Sequence, residues 1–345
     1  MKKLLKHLSP LAPDDSGACS VLYELEGVVV ICDAGGCAGN VCGFDEPRWA
    51  TKRSALFSAG LRDMDAILGR DDRLVKKLSL CCEQLDSPAF TAIVGTPVPA
   101  VIATDYKALE RMSERRTGLP CIALPTDGTG LYDKGEEMAY YRVFDMFARE
   151  KRAIKKGRLG VIGATPLNTG ETEHSRIFAA LQAQGWEEVV CFGLGSGLED
   201  IANASDCEEL LVIAPSGLRA ARLLRERFGT PYKAGWPMLP ELDISGKRVL
   251  AVHQQMCANA VREKLEAQGC EVTVASWFSI DKEFAREGDT HITGEDDFSE
   301  LISRGFDVII ADSFFRRAAQ GFKGEWIDLP HFGASGRCPD GTKNK

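Results

Sequence analysis

The residues with the most chemistry to offer are cysteines, twelve in 345 residues. Half of them, Cys19, Cys32, Cys37, Cys42, Cys81 and Cys82, fall in the first quarter of the chain. Cys19 ends the run Asp15-Ser16-Gly17-Ala18-Cys19, and a hydrophobic run Gly27–Cys32 leads into Asp33-Ala34-Gly35-Gly36-Cys37-Ala38-Gly39-Asn40-Val41-Cys42-Gly43. Thiolates on glycine loops suit iron–sulfur ligation, because iron clusters prefer soft ligands and glycines let backbone N–H groups approach an anionic cluster. Cys19 and Cys37 are the candidate ligands. The spacing C-x12-C-x4-C-x4-C is no ferredoxin pattern, and a glycine loop can equally turn the chain with its cysteines serving as small hydrophobes.

Short β-branched runs alternate with amphipathic helical stretches throughout, the pattern of parallel sheets covered by helices. Strands are predicted at 27–32, 90–95, 120–124, 159–162, 188–192, 209–214, 248–253, 271–275, 307–311 and 326–329. Helical spacing is strong over 175–184, 217–228 and 258–268, and Gly185, Gly229, Gly269 and Gly305 stand where C-caps belong. The fold class is α/β. A basic run at 149–158 and a Pro/Gly-containing link at 237–246 divide the chain into 1–150, 151–238 and 239–345. In this frame Cys37 lies at the carboxyl end of a parallel strand, where open α/β sheets place ligands, and Cys19 reaches the same edge from a helix start.

Composition narrows the function classes. A net charge of −8 and a pI near 5.4 leave no broad basic footprint for nucleic acid. No apolar run approaches the ~20 residues of a membrane span, and the N-terminal Lys-rich start breaks at Pro10 and Pro13, so a cytoplasmic location is expected. A reducing compartment also fits twelve cysteines in a chain long enough to bury a core without disulfides. A Walker A loop, a nucleophile elbow, an H-E-x-x-H helix and a C-x-x-C pair do not occur, and Gly193-Leu194-Gly195-Ser196-Gly197 is misspaced for a dinucleotide turn. Cys121, Cys191 and Cys270 read as core, one of Cys81 and Cys82 faces a core, and Cys207 and Cys338 read as surface thiols. His253 begins a packed loop, while Asp33, Asp105, Asp127, Glu173 and His174 are polar groups near strand ends that could line a pocket.

The order Cys19, Gly35-Gly36-Cys37, then Val94-Gly95-Thr96-Pro97-Val98-Pro99 resembles the nitrogenase component 1 superfamily, which includes scaffold paralogues and tetrapyrrole reductases. Further matches follow in order: Gly118-Leu119-Pro120-Cys121, Val161-Ile162-Gly163-Ala164-Thr165-Pro166, Gly195-Ser196-Gly197-Leu198-Glu199-Asp200, Arg227-Phe228-Gly229-Thr230-Pro231-Tyr232 and Gly246-Lys247-Arg248-Val249-Leu250. The resemblance implies three Rossmann-like parallel-sheet domains around a central cleft. It also implies a cluster at a subunit interface, held by one cysteine before the first helix, one in the Gly-Cys loop and one in a Thr-Cys-Pro turn. Cys19 and Cys37 match the first two, but the third position is Pro97. A homodimer with two cysteines from each copy would supply the four ligands of one 4Fe-4S cluster. Cys42 is a further candidate, Cys32, Cys81 or Cys82 could replace the missing ligand, and a larger cluster stays open. The family's large metal cofactor needs a cysteine after a central strand, and Leu211-Val212-Ile213-Ala214-Pro215-Ser216 has none, so no molybdenum cofactor is expected. His331 in Leu329-Pro330-His331-Phe332-Gly333 is a candidate pocket residue. The implied role is a reductase that takes electrons from a separate ATP-hydrolysing iron protein and delivers them to a small-molecule substrate. The alternatives are a non-catalytic scaffold for metallocluster or tetrapyrrole assembly, and a binding module that kept the fold without the metal.

Overall fold

The computed structural model describes residues 5–338. Three parallel sheets follow one another along the chain. Gly27–Ile31 (β1), Ala55–Ser58 (β2), Phe90–Val94 (β3) and Cys121–Leu124 (β4) form the first, in the order β2-β1-β3-β4. Lys155–Ile162 (β5), Glu188–Cys191 (β6), Cys207–Val212 (β7) and Tyr232–Ala234 (β8) form the second, in the order β6-β5-β7-β8. Arg248–Val252 (β9), Glu271–Ser276 (β10), Thr290–His291 (β11), Val308–Ala311 (β12) and Glu325–Asp328 (β13) form the third, in the order β11-β10-β9-β12-β13.

The central strands are continuous apolar runs because helices cover both of their faces. Residues alternate in β1: Val29 and Ile31 join one hydrophobic cluster, while Val28, Val30 and, just past the strand, Cys32 join the cluster on the opposite side. β2, β8 and β11 were not expected from the sequence. All three are sheet-edge strands of two to four residues that are only partly buried, so they lack the apolar run that marks their neighbours. Gly185, Gly229, Gly269 and Gly305 all take positive φ, as C-capping requires.

Two helices set the position of the cysteine segment. Asp14–Leu22 (α1) is buried along its whole length and lies against the Tyr132–Phe147 helix. A Cβ on Gly17 would sit 1.9 Å from the Tyr132 carbonyl oxygen, and one on Gly135 would sit 1.7 Å from that of Asp14. Only glycine permits this approach at either position. Among the described residues no helix is long and apolar enough to cross a membrane.

Candidate metal centre at the cysteine loop

Cys19 lies inside α1 rather than at a helix start. Pro13 precedes the helix and Asp14 and Asp15 fill its first turn, where carboxylates favour the positive end of the helix dipole, so the helix begins earlier than expected. Cys19 is buried in the cluster between the first two sheets, and Cys37 and Cys42 pack against the same cluster, half-buried.

Asp33 fixes the loop that carries Cys37. Its Oδ2 accepts the Ala38 amide at 2.8 Å, its Oδ1 accepts the Ser58 hydroxyl at 2.6 Å, and its carbonyl accepts the Leu61 amide at 2.7 Å. Gly35, at φ 119°, makes the turn into a short helix, Gly36–Asn40 (α2), whose second residue is Cys37. Cys42 follows on the π-turn Val41–Asp45. A Cβ on Gly35, Gly36, Gly39 or Gly43 would meet nothing within 4 Å, so bare backbone faces open space around the two thiols.

Asp15, one turn before Cys19 on α1, is the polar group that sequence reasoning missed. It is 2% exposed, and its Oδ1 is buried with no hydrogen-bond partner. Burial first, and then the Asp14 carboxylate, push its pKa up to about 7. Burial is the main cause that raises the Cys19 thiol, followed by Asp15 and then Cys42; burial and then Asp15 likewise raise Cys37, with hydrogen bonding to Thr96 acting in the opposite sense. Burial and then Glu46 raise Cys42. The three thiols therefore hold their protons at neutral pH, and a metal would have to displace them.

Arg48, fully buried, clamps the segment after Cys42. Its guanidinium donates to Glu46 Oε1 and Oε2 at 2.7 Å, to the Ser20 carbonyl beside Cys19 at 2.6 Å, and to the Gly193 carbonyl of the second sheet at 2.7 Å. The cysteine loop is thereby tied to α1 and to the second sheet.

The other cysteines are elsewhere. Cys32, Cys81 and Cys82 belong, with Cys121, to the cluster on the opposite face of the first sheet from Cys19. Strand alternation is the reason: Cys32 follows Ile31 and points the other way. Cys191 and Cys270 are buried as expected. Cys207 is also buried, not a surface thiol, because its polar neighbour Asp206 is turned into an ion pair with Arg158 at 3.0 Å. Pro97 opens the short Pro97–Val101 helix after Thr96, whose hydroxyl donates to the Cys32 carbonyl at 2.8 Å. Apolar side chains are exposed on the two segments that carry Cys37 and Pro97: Phe44, two residues after Cys42, is 69% exposed, and Val98, Val101 (85% exposed) and Ile102 lie on and just after the Pro97–Val101 helix. Among the described residues no group of three His, Cys, Asp or Glu side chains could hold a metal ion.

His331 is buried, packed against His253, Tyr132 and Phe278. Its ring stacks on His253 with centroids 4.1 Å apart and planes 13° apart, and its Nε2 is 2.6 Å from the Tyr132 hydroxyl. That hydroxyl donates to Asn168 Oδ1 at 2.9 Å, and Asn168 donates to Glu136 Oε2 at 2.8 Å. Glu136 also accepts from Thr165 and from Ser216, the latter at 2.7 Å. Burial pushes Glu136 up to about 7 and His253 down to about 4, and burial followed by the charge of His253 lowers His331. Glu136 stands four residues from both Tyr132 and Tyr140 on the buried stripe of its helix, a placement that the sequence spacing does show. Asp105 caps the Tyr106–Thr117 helix, and Glu173 pairs with Lys52 at 3.3 Å. His174 packs against Gly195, and Asp127 accepts the Thr129 amide at 2.8 Å.

Residues 15–239 match the family described as nitrogenase component 1 type oxidoreductase. The chain belongs to that family. The matched stretch is well over half of the chain and includes Cys19, Cys37, Cys42 and Pro97. Two curated relatives are similar over part of it, both described as nitrogenase iron-molybdenum cofactor biosynthesis protein NifE. The one from Bradyrhizobium diazoefficiens is 24% identical over 52% of this chain and 33% of its own length. The one from Rhodobacter capsulatus is 22% identical over 56% of this chain and 42% of its own length. The chain thus spans less than half the length of the curated relatives it matches. Two solved structures of nitrogenase Cp1, at pH 6.5 and pH 5, superpose with a TM-score of 0.71 at 12% and 13% identity, covering 95% and 99% of this chain and 87% of theirs. That likeness shows a nitrogenase component 1 fold extending through the third sheet.

Proposed function

We propose that two copies of this nitrogenase component 1 type chain meet over the Cys37 loop and share an iron–sulfur cluster ligated by Cys19 and Cys37 of each. The observation that supports this reading is the half-buried Cys37 beside Thr96, with the apolar side chains of Phe44, Val98, Val101 and Ile102 exposed as a rim on its own segment and on the one that follows Thr96. Four thiolates fit one 4Fe-4S cluster, and Cys42 stands close enough to Cys19 to influence its ionisation, as a further donor would. Bound there, such a cluster supplies one-electron transfer. The chain's own part is to hold the thiols: Asp33 fixes the loop, Arg48 ties it to α1, and a second copy seated on the rim excludes water. All twelve cysteines are free thiols, which suits a reducing, cytoplasmic setting.

In this reading the protein is the reductase component that accepts electrons from a separate ATP-hydrolysing iron protein and passes them to a small-molecule substrate. The reading assigns the chain no molybdenum cofactor, because no cysteine follows the central strand in Leu211-Val212-Ile213-Ala214-Pro215-Ser216. The second reading, a scaffold on which a cofactor is assembled, is favoured by the two cofactor-biosynthesis relatives. Electron flow from a cognate iron protein separates the two: a reductase turns over substrate repeatedly with ATP, whereas a scaffold stops after one reduction of its cluster.

A further inference from the structure

A cavity of about 870 Å³ adjoins the cysteine segment, and it carries chemistry of its own. It opens at the carboxyl ends of β10 and β11, the end at which parallel sheets take ligands, and is roofed by the N-terminal strap of residues 5–13. The strap is fixed, not loose. The amides of Lys6, His7 and Leu8 donate to the Glu295 carboxylate at 2.9, 2.9 and 2.8 Å, and at the far end the Ala12 amide donates to the Gly333 carbonyl at 3.1 Å.

The walls are apolar, with Leu8, Leu11, Trp277, Phe278 and Ile292 all buried. The acids among them are already committed: Asp45 accepts the Ser16 hydroxyl at 2.6 Å, and Asp133 accepts the Ser279 amide at 2.9 Å. Two of the groups that remain to meet a ligand are donors only. Lys134 stands exposed at the rim, 3.7 Å from Glu137. Trp277, 5% exposed, has a buried indole N–H with no acceptor among the described residues, a cost that a native structure seldom leaves unmet.

We infer that this cavity binds a small apolar molecule bearing one carboxylate or similar anionic group, its hydrocarbon body against Leu8, Phe278 and Ile292 and its anion toward Lys134. The volume is that of a site for an organic molecule, not for an inorganic ion. Asn40 and Asp45, which line it, belong to α2 and the π-turn that carry Cys37 and Cys42, so an occupant would lie directly behind the cysteine loop. The inference does not depend on a cluster being present.

The test is a fluorescence titration of the full chain with 1-anilinonaphthalene-8-sulfonate, an apolar monoanion, alongside the uncharged N-phenyl-1-naphthylamine. One saturable site per chain is expected for each. Lys134→Met should weaken the sulfonate about fivefold, the worth of one partly exposed charge, and leave the neutral probe unchanged. Leu5→Trp, a substitution at an exposed rim position, should weaken both probes without moving the thermal midpoint. Absence of saturable binding, several equivalent sites per chain, or equal sulfonate affinity in the Lys134→Met protein would overturn the inference.

Discussion

Asp33 and Ala38 are joined by a 2.8 Å hydrogen bond from the Ala38 amide to Asp33 Oδ2, which closes the glycine turn around Cys37. The glycines at 35, 36, 39 and 43 bring no side chains to pack the turn, so this bond and the one from Ser58 to Asp33 help to hold it in shape, beside the Gly39 amide that donates to the Gly35 carbonyl at 3.3 Å. Asp33→Ala is expected to cost about 1–3 kcal/mol, the value of hydrogen bonds to a carboxylate. It should also lower the iron retained after anaerobic purification by at least half; full iron retention would mean that the loop is held some other way.

Asp15 and Glu136 make stability depend on pH. Both carboxyls have pKa values near 7 in the folded chain against about 4 unfolded, so their contribution is complete below pH 4 and is lost as pH rises to 7. His253, held down at about 4, works in the opposite direction, losing stability as pH falls below its unfolded value of about 6.5. Substituting one carboxyl isolates its share. Asp15→Asn in the metal-free protein should match wild type at pH 4 and exceed it at pH 7.5 by a few kcal/mol, at about 1.4 kcal/mol per pH unit. Urea unfolding at the two pH values checks this, and a constant difference between them would contradict it.

Arg48 is the buried cation of the clamp. Arg48→Met leaves Glu46 buried without its partner, and breaking such a pair costs about 3–5 kcal/mol. Denaturant melts should show the full loss in wild-type buffer, with a double variant Arg48→Met, Glu46→Gln recovering part of it. Failure of the second change to recover anything would place the clamp's value in packing alone.

The apolar rim around Cys37 gives a separate prediction for assembly. Val101→Asp together with Phe44→Asp changes two exposed side chains and should leave folding intact, since neither is part of the core. Light scattering should report a monomer in place of a dimer, and iron should be lost with the partner. A dimer that survives both charges would put the interface elsewhere.

Much of this was legible in the chain itself, for physical reasons that also mark where legibility ended. Buried central strands are long apolar runs, and the glycines that end helices stand out, so the layout of ten strands and the three sheets could be read. Ala55–Ser58, Tyr232–Ala234 and Thr290–His291 could not, because a half-exposed edge strand has no distinctive pattern. At the site, residue type and glycine context pointed to Cys19 and Cys37. Placing Cys32, Cys81 and Cys82 across the sheet from Cys19 needed the structure: strand parity turns Cys32 away from the face that Ile31 takes, and Cys81 and Cys82 end the Asp71–Cys82 helix that packs on that opposite face. Asp15 and Arg48 look like surface charges in the sequence. Their burial arises from contacts between segments far apart, among them the bond from Arg48 to the Gly193 carbonyl.

The most direct test of the cluster reading is an iron count and visible spectrum on anaerobically purified protein, with the mass of the coloured species measured in the same run. The account predicts a brown dimer carrying about four irons per two chains, and colourless protein from Cys19→Ala and from Cys37→Ala. A colourless, iron-free protein whose mass and spectrum are unchanged by either substitution would contradict it.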